Sequence, residues 1–449
     1  MSSPQLWVGR LRKDAVDART YGCTGLMGLH WRTRALRPNI AALAQAAWNQ
    51  GDWSRPAPCL KPQSDILVLG GKTATFFDTP MTGSEEAALY QSVRYELQVE
   101  FIPEVEYPCI AAIEVAGTGV TRKVNCGGPA YRDFAADPAP EGEPRFLPVA
   151  DFYEDWAHAQ FGAEVGTPVA EIFTRLDGNF PRASTWNQGP GVVIVNRQPW
   201  EQVAGQYRFV EEMAALRPDI RGVGNRERFD WWLNTFRYAR AMARVGCARG
   251  ALDNVMEEIE KQSNPAEQRR LARERALPLR EQMVELLGEM YGYLLATLNN
   301  SSELGVVVNL EQQSLLRTQF LVAHDQRLEQ LLGEPLPAAT RPWRNYRGPA
   351  RVVVLTARGS ASKGEQLVLP TIALDQQAMK SVVVRTRALG RGKWRTVEAT
   401  HLARAVYQGK LPPAVEDFEY FVQTQTAGGQ TLRWPGTAPE LNQTVVIVE

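Results

Sequence analysis

Residues Thr24 to Trp48, TGLMGLHWRTRALRPNIAALAQAAW, read as a buried strand that runs out into three large side chains, His30, Trp31 and Arg32, with a helix behind them. At the carboxyl end of a strand in an α/β barrel such residues project into the active face. An indole face suits the apolar side of a pyranose ring, and a guanidinium suits hydroxyls or a carboxylate. The same three residues also fit a plain structural end, with Trp31 packed under the following helix. A second group lies in RKVNCGGPAYRDF, Arg122 to Phe134. Its two glycines permit a tight turn. Asn125, Tyr131 and Asp133 would then offer hydroxyl-binding and stacking groups for a sugar. The alternative is a structural β-turn over a buried Cys126.

Other chemistries lack their residues. In LVLGGKTA a strand runs into Gly71-Lys72-Thr73, but the phosphate-loop pattern needs a glycine where Ile66 stands. No H-E-x-x-H is present and the four histidines are far apart, so no metal and no cofactor are expected. No G-x-S-x-G elbow is present. Asn299, Asn300 and Asn442 match the glycosylation pattern and are read as chance. Asp14 and Asp17 fall near the first strand's exit, but nothing marks them as an acid/base pair. No catalytic residue is assigned.

The elements that must position these groups fall into four textures. Residues 1–60 read strand, helix, strand, helix in QLWVGRL, DAVDARTYG, TGLMGLHW and PNIAALAQAAW, which is the pattern of βα units in a parallel sheet or barrel. Residues 61–150 hold short β-type runs (SDILVLGG, TATFFDT, YELQVEFI, CIAAIEVAG) and predict a small β domain. From Asp151 to Leu336 the period is helical. Phe152, Trp156 and Ala159 share a face that ends at Gly162, Thr167-Pro168 reads as a helix start, and Phe229, Trp232, Phe236 and Ala243 form one stripe. Asn264-Pro265-Ala266-Glu267 predicts a capped helix that Pro278 should kink or break. After PLPAATRPWRNYRGP the runs ARVVVLTA, SVVVRTRAL, FEYFVQTQT and QTVVIVE predict a β-sandwich over 345–449.

The totals agree with a multidomain chain. Its 449 residues carry 50 basic and 50 acidic side chains, and this balance argues against nucleic-acid and anionic-membrane partners. No run approaches the roughly 20 apolar residues of a membrane span. The start, MSSPQLWVGRLRKDAVDAR, has no apolar h-region, so no secretory signal is read and a cytoplasmic location is expected unless a segment precedes it. Five scattered cysteines without a C-x-x-C pair predict reduced, mostly buried thiols. Twelve tryptophans are an excess, and they suit both cores and sugar-stacking surfaces.

Several segments together resemble the C-terminal portion of large bacterial glycoside hydrolases with a malectin-like domain. YGCTGLMGLHWRTRALRPNIAALAQAAW is similar to the last strand and helix of their barrel, and LYQSVRY and EFIPEVEYPCIAAIEVAGTGVTRKVNCGGPAY to parts of the malectin-like insert. DFYEDWAHAQFG and IFTRLDGNFPRASTW resemble their helical domain. DFEYFVQTQTAGGQTLRWPGTAPELNQTVVIV resembles their terminal β-sandwich. Only ELQV separates LYQSVRY from EFIPEVEYPC, so the insert would be a trimmed remnant. A full barrel needs roughly 200 residues or more, and thirty end at His30.

The resemblance implies a multidomain α/β, all-α and all-β chain. It comprises a partial (β/α) barrel remnant over 1–60, a small malectin-like β domain over 61–150, a helical bundle over 151–336 and an immunoglobulin-like β-sandwich over 345–449. The implied function is recognition of a poly- or oligosaccharide through His30, Trp31, Arg32, Asn125 and Tyr131. Hydrolysis would occur only if a partner chain or a homo-oligomer completes the site. The alternatives are a stand-alone carbohydrate-binding protein and a non-catalytic scaffold.

Overall fold

A computed structural model of the chain describes residues 4–20, 23–28, 34–48, 146–185, 192–343 and 345–448, with the backbone of seven short strands between residues 65 and 136. Two compact units divide the chain. One comprises Val8–Met27 and Ala42–Pro148, the other Met1–Trp7, Gly28–Ala41 and Val149–Glu449.

In the smaller unit, helix α1 (Val8–Thr20) buries Val8, Gly9, Arg12, Ala15 and Val16, and Ala15 and Val16 share a small core with Ala46 and Leu147. This corrects the strand expected over QLWVGRL. Arg12, 1 % exposed, stands where the helical repeat calls for an apolar side chain, so the period is hidden in the letters. Its Nη1 donates to the Pro148 carbonyl at 2.7 Å and its Nη2 to Gln45 Oε1 at 3.1 Å, which is how a buried guanidinium is tolerated.

The second expected strand does not form over the described part of TGLMGLHW either. Residues 23–28 hold no strand, Met27 is exposed, Gly25 and Gly28 weaken an extended segment, and only Leu26 packs, half-buried, against the small core. Helix α2 (Arg37–Trp48) lies where the sequence puts one. With two helices and no described strand between them, no βα unit is present among the described residues of 1–48.

The β-type runs of 61–150 give short strands. β1 (Asp65–Leu67) pairs in parallel with β4 (Tyr95–Leu97), and β2 (Thr75–Phe76) pairs with β3 (Thr79–Pro80). β5 (Ile113–Gly117) is antiparallel to β6 (Val120–Asn125), which takes β7 (Ala135–Ala136) on its other side.

The larger unit begins its helices with α3 (Ala150–Phe161) and α4 (Gly166–Leu176). α3 stops at Gly162, whose φ of 95° suits glycine. α4 starts one residue before the expected Thr167. α5 (Phe209–Leu216) precedes the long α6 (Val223–Glu260), whose 38 residues reach about 57 Å. Phe229, Trp232, Phe236 and Ala243 are all buried. They join Tyr153, Trp156, Phe161, Phe173 and Phe209 in a core of edge-to-face and tilted rings.

Helix α7 (Pro265–Leu271) is capped by Asn264, whose Oδ1 accepts the Ala266 N–H at 2.9 Å. Pro278 neither ends nor breaks the chain of helices. A π-helical stretch, Ala272–Ala276, precedes α8 (Leu277–Ala296), and its wider turns accommodate the ring and the missing N–H. α9 (Ser301–Leu310) runs into a second π-helical stretch, Glu311–Arg317, and α10 (Asp325–Leu332) ends at Gly333. No helix among the described residues is long and apolar enough to cross a membrane.

The four β-type runs expected after residue 345 all form strands, and others that the sequence did not mark join them. β8 (Ser184–Thr185) and β9 (Val192–Val193) form a small pair against the helices. Beyond residue 350 come β10 (Arg351–Val354), β11 (Ser360–Ser362), β12 (Gln366–Leu374), β13 (Ser381–Ala388), β14 (Arg395–Glu398), β15 (Thr400–Ala403), β16 (Val406–Pro413), β17 (Phe418–Gln425), β18 (Thr431–Trp434) and β19 (Gln443–Val448). One sheet has the order β10-β12-β16-β15, the other β11-β19-β17-β13-β14, with β18 continuing β19's edge of β17. They enclose one apolar core, with Val354, Leu369 and Leu411 from the first sheet and Val382, Val384, Tyr420 and Val422 from the second.

A seam of Leu298, Ile372 and Leu374 joins the helices to the sheets. Arg351 donates across it to the carbonyls of Leu295 and Leu298, and the Ser301 N–H to that of Leu355.

Candidate functional site

His30, Trp31, Arg32 and Tyr131 lie outside the described residues. Asn125 is the last residue of β6, its backbone opposite Ala136, and its side chain lies outside the described atoms. The chain next emerges at a 3₁₀ turn, Arg34–Leu36, that leads into α2. Arg34 and Arg37, three residues apart, share a helix face, and Arg34 Nη1 stands 3.8 Å from Glu227 Oε1. Burial, then the like charge of Arg34, lowers the Arg37 pKa, while Glu303 acts to raise it. Glu303 itself is buried and its carboxyl is pushed upward by burial. Its Oε2 accepts the Asn299 N–H at 2.7 Å while Asn300 Oδ1 caps the Glu303 N–H, so its role is to close the start of α9.

The other titratable groups have structural employment. Asp14 and Asp17 lie on α1 and pair with Arg10 and Lys13, so they form no acid/base couple. His158 Nε2 faces both Glu154 Oε1 (3.0 Å) and Thr167 Oγ1 (3.2 Å). A relay from hydroxyl to carboxylate needs the two on opposite ring nitrogens. His324 Nε2 meets Asp253 Oδ1 at 2.7 Å, and Arg249 Nε donates to the same oxygen. Burial works to raise the Asp253 pKa, and the hydrogen bonds from His324 and Arg249 outweigh it, so the net shift is downward. No group of three His, Cys, Asp or Glu side chains fit to hold a metal occurs among the described residues. Trp156, Trp231 and Trp232 are core, which accounts for part of the tryptophan excess.

The constellation best fitted to a ligand lies on the outer face of the second sheet. Side chains alternate along a strand. With Val382, Val384, Tyr420 and Val422 facing the core, Arg385 and Arg387 of β13 and Glu419, Phe421 and Gln423 of β17 face outward. Arg433 lies opposite Gln423 and Thr396 opposite Arg385. The β13–β14 connection, LGRGKW, turns on Gly390 and Gly392, with φ of 67° and 81°, and returns Trp394 to the sheet. Trp394 packs edge-on against Phe421, ring centroids 4.8 Å apart, and the Arg387 guanidinium stacks over its ring at 4.3 Å.

Glu419 locks this arrangement. Its Oε1 accepts from Arg387 Nε at 2.7 Å and from the Gly390 N–H at 3.2 Å, and its Oε2 accepts from Asn442 Nδ2 at 2.7 Å. Burial pushes its pKa up, but the hydrogen bonds from Asn442, Arg387 and Gly390 prevail and hold it below the usual carboxylate range. The Asn442 amide is thus engaged in the fold, in keeping with a chance glycosylation match. Among the described residues nothing accepts from Nη1 or Nη2 of Arg387, and the buried Oδ1 of Asn442 has no donor. A planar fork of donors therefore sits on an aromatic ring, fixed from below and from one side. It can bind oxygen-rich ligands. It does not provide paired catalytic carboxylates: Glu419 is fully engaged, and Glu398 is two strands over and four residues along, about 16 Å away by strand geometry.

Sequence reasoning passed over Trp394, Arg387, Glu419 and Asn442 because their adjacency depends on strand register. The one visible signal is RTRALGRGKW, two alternating arginines before a glycine turn that ends on tryptophan. No family model matches the chain, and no curated protein matches it.

Proposed function

We propose that the chain is a carbohydrate-recognition protein that binds a poly- or oligosaccharide on the outer face of the second sheet. The observation that carries this reading is the Arg387 fork stacked on Trp394 and clamped by Glu419, on a face that also offers Gln423, Arg385 and Arg433. Fixed planar donors over an aromatic ring suit vicinal hydroxyls and ring oxygens, and pre-organisation limits the ordering penalty on binding. The resemblance to glycoside hydrolases is compatible with this. In that light the two-sheet part is an immunoglobulin-like sandwich adapted to hold sugar, and hydrolysis belongs to a site completed by another chain.

The test is a polysaccharide panel scored in the same wells for retention of protein and for release of reducing ends. Retention without release, lost in Trp394→Ala while the melting temperature stays near that of the parent, is the expected result. Release of reducing ends by this chain alone, or retention untouched by Trp394→Ala, overturns the assignment of the face.

A further inference from the structure

The charges on the same face carry the reading one step further, to the class of sugar. In the helical part of the larger unit several arginines meet carboxylates (Arg175 with Glu212, Arg197 with Glu257, Arg217 with Asp230, Arg244 with Glu289 and Arg280 with Asp325), while Arg226, Arg228 and Arg269 meet neutral acceptors and are scattered among them. On the outer sheet face arginines without a full carboxylate partner are neighbours. Arg385 donates to Thr396 Oγ1 and Arg433 to Gln423 Oε1 at 3.4 Å, both neutral acceptors, and neither has a carboxylate among the described residues. Arg387 spends one N–H on Glu419 and leaves its fork open. In the adjoining turn Arg391 pairs with Glu416, while Lys393 has no acidic partner among the described residues. Against these cations stands Glu398, exposed at the outer edge of β14. A chain with no net charge thus gathers on one face two guanidinium groups without a carboxylate among the described residues, Arg385 and Arg433, beside the half-open fork of Arg387.

Their spacing bears on what they meet. Arg385 and Arg387 are about 7 Å apart along β13, and Arg433, two strands across from Arg385, is about 12 Å from it. No single carboxylate reaches all three, whereas an extended polymer with repeated carboxylates does. Guanidinium groups bind carboxylates through paired N–H bonds, and the shorter, charge-assisted bonds are the stronger ones. We propose that the ligand of this face is an acidic polysaccharide, a polymer of uronic-acid sugars whose carboxylates engage Arg387, Arg385 and Arg433. The proposal rests on the reading of the face as a sugar site.

The full chain is titrated with polygalacturonate, with the same polymer after reduction of its carboxylates to alcohols, and with single-stranded DNA, each at low and moderate salt. Expected is binding of polygalacturonate at least tenfold tighter than of the reduced polymer, weakening as salt rises. The double variant Arg385→Gln with Arg433→Gln should weaken polygalacturonate at least tenfold and the reduced polymer by much less, bringing the two affinities together. Both side chains are solvent-facing, so folding is checked simply by an unshifted melting curve. Equal binding of the two polymers overturns the acidic class while leaving the sugar site standing. Binding of neither overturns both readings. Polygalacturonate binding that the double variant does not alter, or DNA bound equally well and lost with it, overturns the proposal as well.

Discussion

Glu419 shows how one carboxylate sets both geometry and a pH limit. Its hydrogen bonds hold the folded pKa below the unfolded value of about 4.3, so the stability it adds is complete above that value and is lost as pH falls through the lower, folded one. The melting temperature of the parent should therefore drop on acidification below about pH 4.3 more steeply than that of Glu419→Gln, which should already be less stable at pH 7 by about 2 kcal/mol. A differential scan of both proteins from pH 7 to pH 3 checks the sign.

Tyr238 is the opposite case. Its hydroxyl is buried without a partner among the described residues, and burial, then the nearby Tyr291, drives its pKa upward. Removing a polar atom that has no bond should cost nothing, so Tyr238→Phe is expected to hold or raise the melting temperature. Neither residue announces its state in the letters: a glutamate in FEYFVQ reads as the polar half of a strand, and a tyrosine in FRYARAM reads as a satisfied amphipath.

At the scale of elements, α6 is gripped by backbone rather than by side chains. A Cβ on Gly246 would lie 2.2 Å from the Ile194 carbonyl oxygen, and one on Gly250 2.1 Å from that of Asn196, while the Asn196 N–H donates to the Gly246 carbonyl at 3.1 Å. Gly246→Ala or Gly250→Ala should destabilise by roughly 1–3 kcal/mol, because main chain cannot swing aside. Gly292→Ala in α8, where nothing lies within 4 Å, should instead stabilise by about 0.5–1 kcal/mol. Denaturant midpoints of the three variants would show opposite signs. The helical and β textures beyond residue 150, with elements such as α3, α6, β13 and β17, were legible because their apolar residues recur at the element's period and termini carry caps such as Gly162 and Asn264, whereas β12 and β16 were not singled out. The first N-terminal strand was misread because a core arginine, Arg12, breaks the helical stripe of α1, and the second does not form over residues 24–28, where Gly25 and Gly28 weaken it. At Pro278 the sequence called for a kink or a break, and the regular helix gives way just before it to a π-helical stretch, a form of interruption that no letter signals. The candidate face was legible only as the run RTRALGRGKW, since the rest of it needs the register of β13, β14, β17 and β18.

For the whole molecule, the sheets keep an apolar core of their own, and the helices keep another. Leu6 and Leu36, both buried, belong to the larger unit. A chain beginning at residue 61 should therefore melt its helical part earlier, yet still be retained on the polymer that the full chain binds. Loss of retention with an intact far-ultraviolet spectrum would move the site away from the second sheet.

The arginine resting on Trp394 also gives the face an optical character. A cation held 4.3 Å over an indole perturbs the emission of that ring, whereas Trp231 and Trp232 are enclosed and indifferent to what happens on the sheet. A ligand that draws the guanidinium toward itself should change the fluorescence of one tryptophan against a constant background. Occupancy of the face could then be followed in solution without a label, the parent minus Trp394→Phe giving the signal.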